Sequence, residues 1–142
     1  MKFLTFFILG GLYTLSFSPY NISILAFLSI LLFMLFINID SKRLSIIQSL
    51  FFSLGYFSVG TYWLQNVINN FADINYFLTI IIIAIFTIYL SLFVVLPVTI
   101  TTIINQNLNI NKSFLLIILS ILITFFEIAR GYMFSGFSWL NF

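Results

Sequence analysis

The chain has 142 residues, of which 63% are hydrophobic and only 6% are charged. Soluble domains carry roughly 25% charged residues, so this composition excludes a soluble globular protein and indicates hydrocarbon as the surrounding solvent. There is no cysteine and no histidine, and five Lys and Arg against three acidic residues leave a net charge of +2. Disulfides, thiolate or imidazole catalysis and zinc sites are therefore excluded on this chain, and no nucleic-acid partner is expected.

The apolar residues form five long runs, which predict an all-α fold: a polytopic membrane bundle of about five transmembrane helices. We expect one transmembrane domain over residues 1–142 and no soluble domain. The predicted spans are residues 3–18, 21–37, 44–65, 76–104 and 113–134.

The first run has the length of a signal peptide. No A-x-A-like cleavage site follows it, and Pro19 leads almost at once into the second run. Both features favour a hairpin that stays in the membrane over a signal that is removed.

The third span carries small and aromatic residues at steps of four and three, which is one helix face. They are Ser49, Ser53, Tyr56, Gly60 and Trp63. Small residues let membrane helices approach closely, so helix packing is the first interpretation of this face and substrate contact the second. Trp63 also lies where an interfacial aromatic belt is expected.

Polar loops are predicted at residues 66–75 and 105–112, with Ser113 as the cap of the last helix. Pro97 is a natural bend in the fourth span because it removes one backbone hydrogen bond.

The distribution of cations predicts the orientation. With the N-terminus in the cytoplasm, five spans place Lys2, Lys42, Arg43 and Lys112 on the cytoplasmic side. Only Arg130 falls toward the outside, in agreement with the positive-inside rule.

Glu127 and Arg130 are the only acidic and basic residues inside a long hydrophobic segment. A helix that starts at Ser113 places Glu127 about 21 Å along its axis, near the outer edge of the membrane. A spacing of three lets the two side chains pair, either to anchor the helix end or to form a polar floor beneath a lipid or protein site. Gly131 and Gly136 allow the following chain to turn or to approach another backbone.

No catalytic residue, cofactor site or metal site is predicted. Glu127 is a lone carboxylate with no nucleophile, histidine or metal ligand beside it. General acid–base or nucleophilic catalysis needs such a partner.

Four motifs in order resemble the apolipoprotein N-acyltransferases. They are LSFSPYN (Leu15–Asn21), LGYFSVGTYWLQNVI (Leu54–Ile68), IYLSLFVVLP (Ile88–Pro97) and FEIARGYMFSGFSWLNF (Phe126–Phe142). The last is similar to the family's Glu-x-x-Arg-Gly segment and the Gly-Phe-Pro-Trp that follows it. Ser138 stands where the family usually has proline, and Trp139 is in place.

This resemblance implies a multi-pass protein of the bacterial inner membrane that takes part in lipoprotein biosynthesis. Family members transfer an acyl chain from phospholipid to the N-terminal amine of a diacylated lipoprotein, through a Glu-Lys-Cys triad in a nitrilase-like domain. The implied partners are membrane lipids and diacylated lipoproteins, together with a separately encoded nitrilase-like chain if a neighbouring reading frame supplies that domain. The implied structural or lipid-site residues are Glu127, Arg130, Gly131, Gly136, Trp139 and Trp63.

None of the triad can be placed on this chain, because it lacks cysteine and Glu127 matches the membrane motif. The resemblance therefore covers the N-terminal transmembrane part of the family, and we expect a split or decayed gene and no activity from the isolated chain. The alternative is a small non-enzymatic integral membrane protein, such as a transporter component or assembly factor.

Overall fold

The computed structural model describes residues 3–71, 74–108 and 110–133. These residues form six helices and no strand, which confirms the predicted all-α class. The helices are α1 (Phe3–Thr14), α2 (Ser23–Phe36), α3 (Lys42–Gly60), α4 (Leu64–Phe71), α5 (Tyr76–Leu108) and α6 (Lys112–Met133).

The helices differ in how well their lengths match a membrane. α5 and α6 are each long and apolar enough to cross one, and α3 together with α4 makes a third candidate span with a bend of 48°. α1 and α2 have 12 and 14 residues, or about 20 Å each, against a hydrocarbon core of about 30 Å. Two to three candidate spans are thus present in the described ranges, and the count of five and the orientation stay predictions.

α1 and α3 are parallel neighbours. The Phe3 and Phe51 rings stack with their centres 5.5 Å apart at one end, and Gly11 faces Val59 near the other. Both pairs are separated by 48 residues in the sequence, so the register is constant along the contact. A parallel pair requires α2 to return the chain between them.

Two glycines bring the backbones of α1 and α3 into direct contact. A Cβ atom added at Gly10 would lie on the carbonyl oxygen of Phe52 and 2.7 Å from the backbone nitrogen of Tyr56. A Cβ added at Gly55 would lie on the carbonyl oxygen of Phe7 and 2.8 Å from its carbonyl carbon. Because the obstructing atoms are backbone, only glycine fits at either position.

Buried hydroxyl groups join α3 to α5. Thr102 donates to the hydroxyl oxygen of Ser45 at 3.0 Å, and the hydroxyls of Thr61 and Thr87 are 3.4 Å apart. The first pair joins the start of α3 to the last turns of α5, and the second joins the end of α3 to the first half of α5. The two helices are therefore antiparallel. In a membrane such interhelical bonds contribute about 0.6 kcal/mol each.

Four of the five residues of the face predicted in the third span form a packing face on α3, whereas the fifth, Trp63, lies in the turn after α3 and is exposed. Ser49, Ser53, Tyr56 and Gly60 are all buried. Ser49 and Ser53 donate their hydroxyls to carbonyls one turn back in the same helix. Their polar groups are therefore satisfied inside the bundle.

The prediction of a loop over residues 66–75 is wrong for its first half, which belongs to α4. This helix has apolar residues at Leu64, Val67 and Ile68, a helical repeat that the many asparagines conceal. The Asn69 side chain accepts a hydrogen bond from the Thr79 hydroxyl at 2.8 Å, which ties α4 to α5.

Two predicted features of the last helices are also corrected. α5 continues through Pro97 to Leu108, beyond the predicted end at residue 104. Asn111, rather than Ser113, caps α6: its side-chain oxygen accepts the backbone N–H of Ser113 at 3.2 Å.

The bundle has two distinct ends. The start of α3, the end of α5 and the start of α6 share the basic end, which carries Lys42, Arg43 and Lys112. The end of α3, α4 and the end of α6 share the opposite end, here called the aromatic end, which carries Arg130. Lys2 lies outside the described residues.

Candidate functional site

Glu127 and Arg130 form an ion pair in the last turns of α6, as their spacing predicts. The two side chains are only 11% and 4% exposed. A charge that is this strongly shielded from solvent requires a partner of opposite charge. Glu127 and Arg130 are each other's partner.

An aromatic side chain of α3 contacts this pair. The guanidinium carbon of Arg130 lies 5.5 Å from the centre of the Phe57 ring, within cation–π range. The pair therefore joins the end of α6 to the end of α3.

The rings themselves form a continuous cluster. The Tyr56 ring lies 4.8 Å from Tyr13, 4.5 Å from Phe57 and 6.2 Å from Phe17, centre to centre. Tyr13 also packs edge-on against Phe17 at 5.6 Å. We call these four residues the aromatic cluster; it extends from Arg130 to the loop that follows α1.

That loop, residues 15–22, is held by backbone hydrogen bonds. The Asn21 N–H donates to the Phe17 carbonyl at 3.0 Å, and the Ile22 N–H donates to the Leu15 carbonyl at 3.2 Å. Asn21 has φ of 54°, a left-handed conformation that asparagine tolerates better than most residues. The loop therefore has a defined shape at the aromatic end.

A cavity of about 650 Å³ opens beside the aromatic cluster. One wall is the loop after α1, and the other is the end of α3 with the turn into α4. The apolar and aromatic side chains of the lining include Phe17, Pro19, Val59, Tyr62 and Trp63. Its volume falls within the range of about 300–1,000 Å³ that is usual for small-molecule sites. Such a lining suits an apolar chain.

Glu127 and Arg130 do not line this cavity. Phe17 belongs both to the cavity wall and to the aromatic cluster. The ion pair is thus linked to the cavity wall through the Phe57 and Tyr56 rings.

The other predicted site residues are placed as follows. Trp63 lines the cavity, and Gly131 follows Arg130 half-buried in α6. Gly136 and Trp139 lie outside the described residues.

Sequence reasoning missed Tyr13, Phe17 and Phe57. Aromatic residues are so frequent in this chain, which has twenty phenylalanines and seven tyrosines, that no composition signal marked these three. Two of them do lie inside the family motifs: Phe17 between Leu15 and Asn21, and Phe57 between Leu54 and Ile68.

The described residues form a bundle of helices with few charges, a buried ion pair and an apolar cavity at one end. These features are typical of an integral membrane protein. A family model described as the apolipoprotein N-acyltransferase N-terminal domain matches residues 9–142. The chain therefore belongs to this family, as the motifs predicted.

Individual relatives agree with this assignment. The chain is 27% identical to the apolipoprotein N-acyltransferase of Haemophilus ducreyi over 96% of its length, and 33% identical to that of Wigglesworthia glossinidia brevipalpis over 99%. It is also 27% identical to the enzyme of Pasteurella multocida. In these alignments the chain spans only 26–28% of the length of each relative.

Proposed function

We propose that this chain is the membrane part of an apolipoprotein N-acyltransferase, an enzyme that moves an acyl chain from phospholipid to the N-terminal amine of a bacterial lipoprotein. The observation that carries the proposal is the family match over residues 9–142. The apolar cavity at the aromatic end supports it, because an enzyme that acts on lipids needs a place for acyl chains beside the reacting groups.

We propose the inner membrane as the location, with five spans and the N-terminus in the cytoplasm. α1 and α2 are short, but α1 continues as tight turns in which the N–H groups of Leu15, Ser16 and Phe17 each bond the carbonyl three residues back. Three cations share the basic end and Arg130 lies at the other, which fits a basic end in the cytoplasm. The aromatic end then faces the periplasm.

We propose different roles for the predicted site residues. Glu127 and Arg130 fix the end of α6 against the aromatic cluster, and Trp63 contacts lipid in the cavity. Gly131 lies beside Arg130 in α6, and we propose a structural role for it at the same end; Gly136 and Trp139, outside the described residues, stay predicted site residues. A lipid site, rather than a site for the charged substrate amine, matches the apolar lining.

The reacting groups must come from outside these 142 residues. A thioester intermediate needs a thiolate, and the chain has no cysteine. We propose that a nitrilase-like part with Glu, Lys and Cys acts above the aromatic end. Reading the DNA that follows the codon for Phe142, for Glu, Lys and Cys at nitrilase spacing, identifies where this part is encoded.

The alternative, a small non-enzymatic membrane protein such as a transporter component or assembly factor, rests only on general apolar composition. No observation on the described residues favours it over the family assignment.

The proposal is tested with the chain in phospholipid vesicles and a diacylated lipopeptide as acceptor. Without a nitrilase-like part we expect no acylated lipopeptide, and with it we expect acyl transfer that a Cys-to-Ala change in that part abolishes. Transfer by the chain alone would contradict the proposal, as would equal transfer by the nitrilase-like part in vesicles without the chain.

A further inference from the structure

A second polar feature lies at the basic end, where residues 37–41 connect α2 to α3. The Asn38 side-chain oxygen accepts the backbone N–H groups of Asp40 at 3.1 Å and of Ser41 at 3.0 Å. The Asn38 N–H in turn donates to the Gln48 side chain at 2.8 Å. These bonds give the connection one fixed shape.

α5 holds Asp40 in place from the other side. The Asn105 amide donates to a carboxylate oxygen of Asp40 at 3.0 Å and to the Ile39 carbonyl at 3.3 Å. The Gln106 amide donates to the Asp40 carbonyl at 3.1 Å. The position of this carboxylate is therefore set before any ligand arrives.

Asp40 lines a cavity of about 340 Å³ that also includes Lys112, at the start of α6. Within the described ranges, no ion pair joins Asp40 to Lys112, although both face the same cavity. Asn38 and Asn105 add neutral polar groups to the lining. The cavity is thus lined by one carboxylate in a fixed position and one ammonium group, and these two charges do not pair with each other.

We propose that this cavity binds the headgroup of a zwitterionic phospholipid that carries a primary ammonium, such as phosphatidylethanolamine. The ammonium would contact the Asp40 carboxylate, and the phosphate would contact the Lys112 ammonium. Each charge of the headgroup then meets its opposite. An anionic headgroup without an ammonium would bring its phosphate near Asp40 with no compensating contact.

The surroundings of the cavity fit a lipid rather than a soluble zwitterion. Leu35 and Phe36 in the last turn of α2 line it and are largely exposed, and Ile110 lies on its other side. Glycerol and acyl chains can follow these apolar side chains into the hydrocarbon. The site is at the opposite end of the bundle from the cavity proposed for acyl transfer, so it holds a resident lipid and not the acyl donor.

This assignment is independent of whether the chain takes part in acylation, and it is tested by binding alone. The full chain is purified, stripped of lipid and titrated in detergent with phosphatidylethanolamine or phosphatidylglycerol, and bound lipid is counted by native mass spectrometry. We expect phosphatidylethanolamine to bind about fivefold more tightly, the size of an interaction between partly exposed charges. Equal affinity for the two lipids would overturn the proposal.

Three variants locate the site. Asp40→Asn keeps an oxygen that can accept the Asn105 hydrogen bond, so it should weaken phosphatidylethanolamine binding, leave phosphatidylglycerol binding equal or stronger, and thereby remove the preference. Lys112→Gln should weaken both lipids, whereas Lys42→Gln, a cation at the same end that does not line the cavity, should weaken neither. The proposal fails if Asp40→Asn keeps the fivefold preference or if Lys42→Gln matches Lys112→Gln.

An unchanged unfolding midpoint of each lipid-free variant shows that it has folded. If Asp40→Asn does not fold, Asp40→Glu replaces it: a longer carboxylate keeps the charge, so a preference for the ammonium lipid is expected to survive. Loss of that preference in a folded Asp40→Glu variant would also count against the assignment.

Discussion

The guanidinium carbon of Arg130 lies 5.5 Å from the centre of the Phe57 ring, which joins the last turns of α6 to the last turns of α3. α6 is otherwise a neighbour of α5, and much of its apolar surface is exposed. The contact between Arg130 and Phe57 therefore determines how the end of α6 lies against the aromatic cluster.

Breaking the ion pair should destabilise the bundle. Glu127→Gln leaves the Arg130 charge without its carboxylate in a largely buried position, and loss of one partner of a buried pair costs about 3 kcal/mol. Thermal unfolding in detergent should show a clear drop in the midpoint. The double variant Glu127→Leu/Arg130→Met removes both charges and keeps apolar contact with Phe57, so it should be more stable than Glu127→Gln.

Lys42→Gln is the control for this series, because Lys42 is an exposed charge at the opposite end of the bundle and lines no proposed site. It should leave the midpoint unchanged. A double variant that is less stable than Glu127→Gln would contradict the view that the pair mainly compensates its own burial.

The glycine contact between α1 and α3 gives a sharper comparison. Gly55→Ala forces a methyl group onto the backbone of Phe7, and overpacking of this kind costs about 1–3 kcal/mol. Gly11→Ala in the same interface meets a side-chain methyl of Val59 at 3.6 Å and the Gly55 carbonyl oxygen at 4.0 Å, both ordinary contacts. It gains up to about 1 kcal/mol of helix preference. Unfolding midpoints should fall for the first and hold or rise for the second; equal effects would mean that the two helices pack less closely.

Removing a buried interhelical hydroxyl should have a modest effect. Thr102→Val keeps the shape of the side chain but removes the hydrogen bond to Ser45, at a cost of about 0.5–1.5 kcal/mol. Thr124→Val is the matched control, since Thr124 is exposed and bonds only to the Ser120 carbonyl of its own helix. Identical unfolding curves for the two variants would show that the bond between α3 and α5 adds nothing.

The orientation can be read from thiol labelling, because the chain has no cysteine of its own. Tyr62, at the aromatic end, is 70% exposed, and Arg43, at the basic end, is also exposed. In intact spheroplasts, Tyr62→Cys should react with an impermeant reagent, whereas Arg43→Cys should react only after the membrane is opened. The reverse pattern would place the basic end outside.

Hydropathy was enough to predict the helical class, and the spacing of Glu127 and Arg130 predicted their pairing. Hydropathy failed to predict α4, because several asparagines lie among the apolar residues Leu64, Val67 and Ile68 that repeat at helical spacing. A short polar segment has a similar composition whether it forms an irregular loop or an amphipathic helix of two turns. Local polarity alone therefore does not distinguish the two.

The cavity and the aromatic cluster were beyond sequence reasoning for a different reason. Phe17 and Trp63 meet at the cavity only because Gly10 and Gly55 let α1 and α3 approach in a parallel register. Nothing local in the sequence shows which helices touch, so contacts between distant segments had to come from the structure.

The most direct test of the account is the mass of a lipoprotein N-terminal peptide from cells depleted of their own apolipoprotein N-acyltransferase. When the chain is expressed together with a nitrilase-like part that carries Glu, Lys and Cys, we expect the peptide to gain one acyl chain on its amine. The chain alone should leave the peptide diacylated. A third acyl chain without the nitrilase-like part, or none when both are present and folded, would contradict the assignment of this chain as the membrane part of the enzyme.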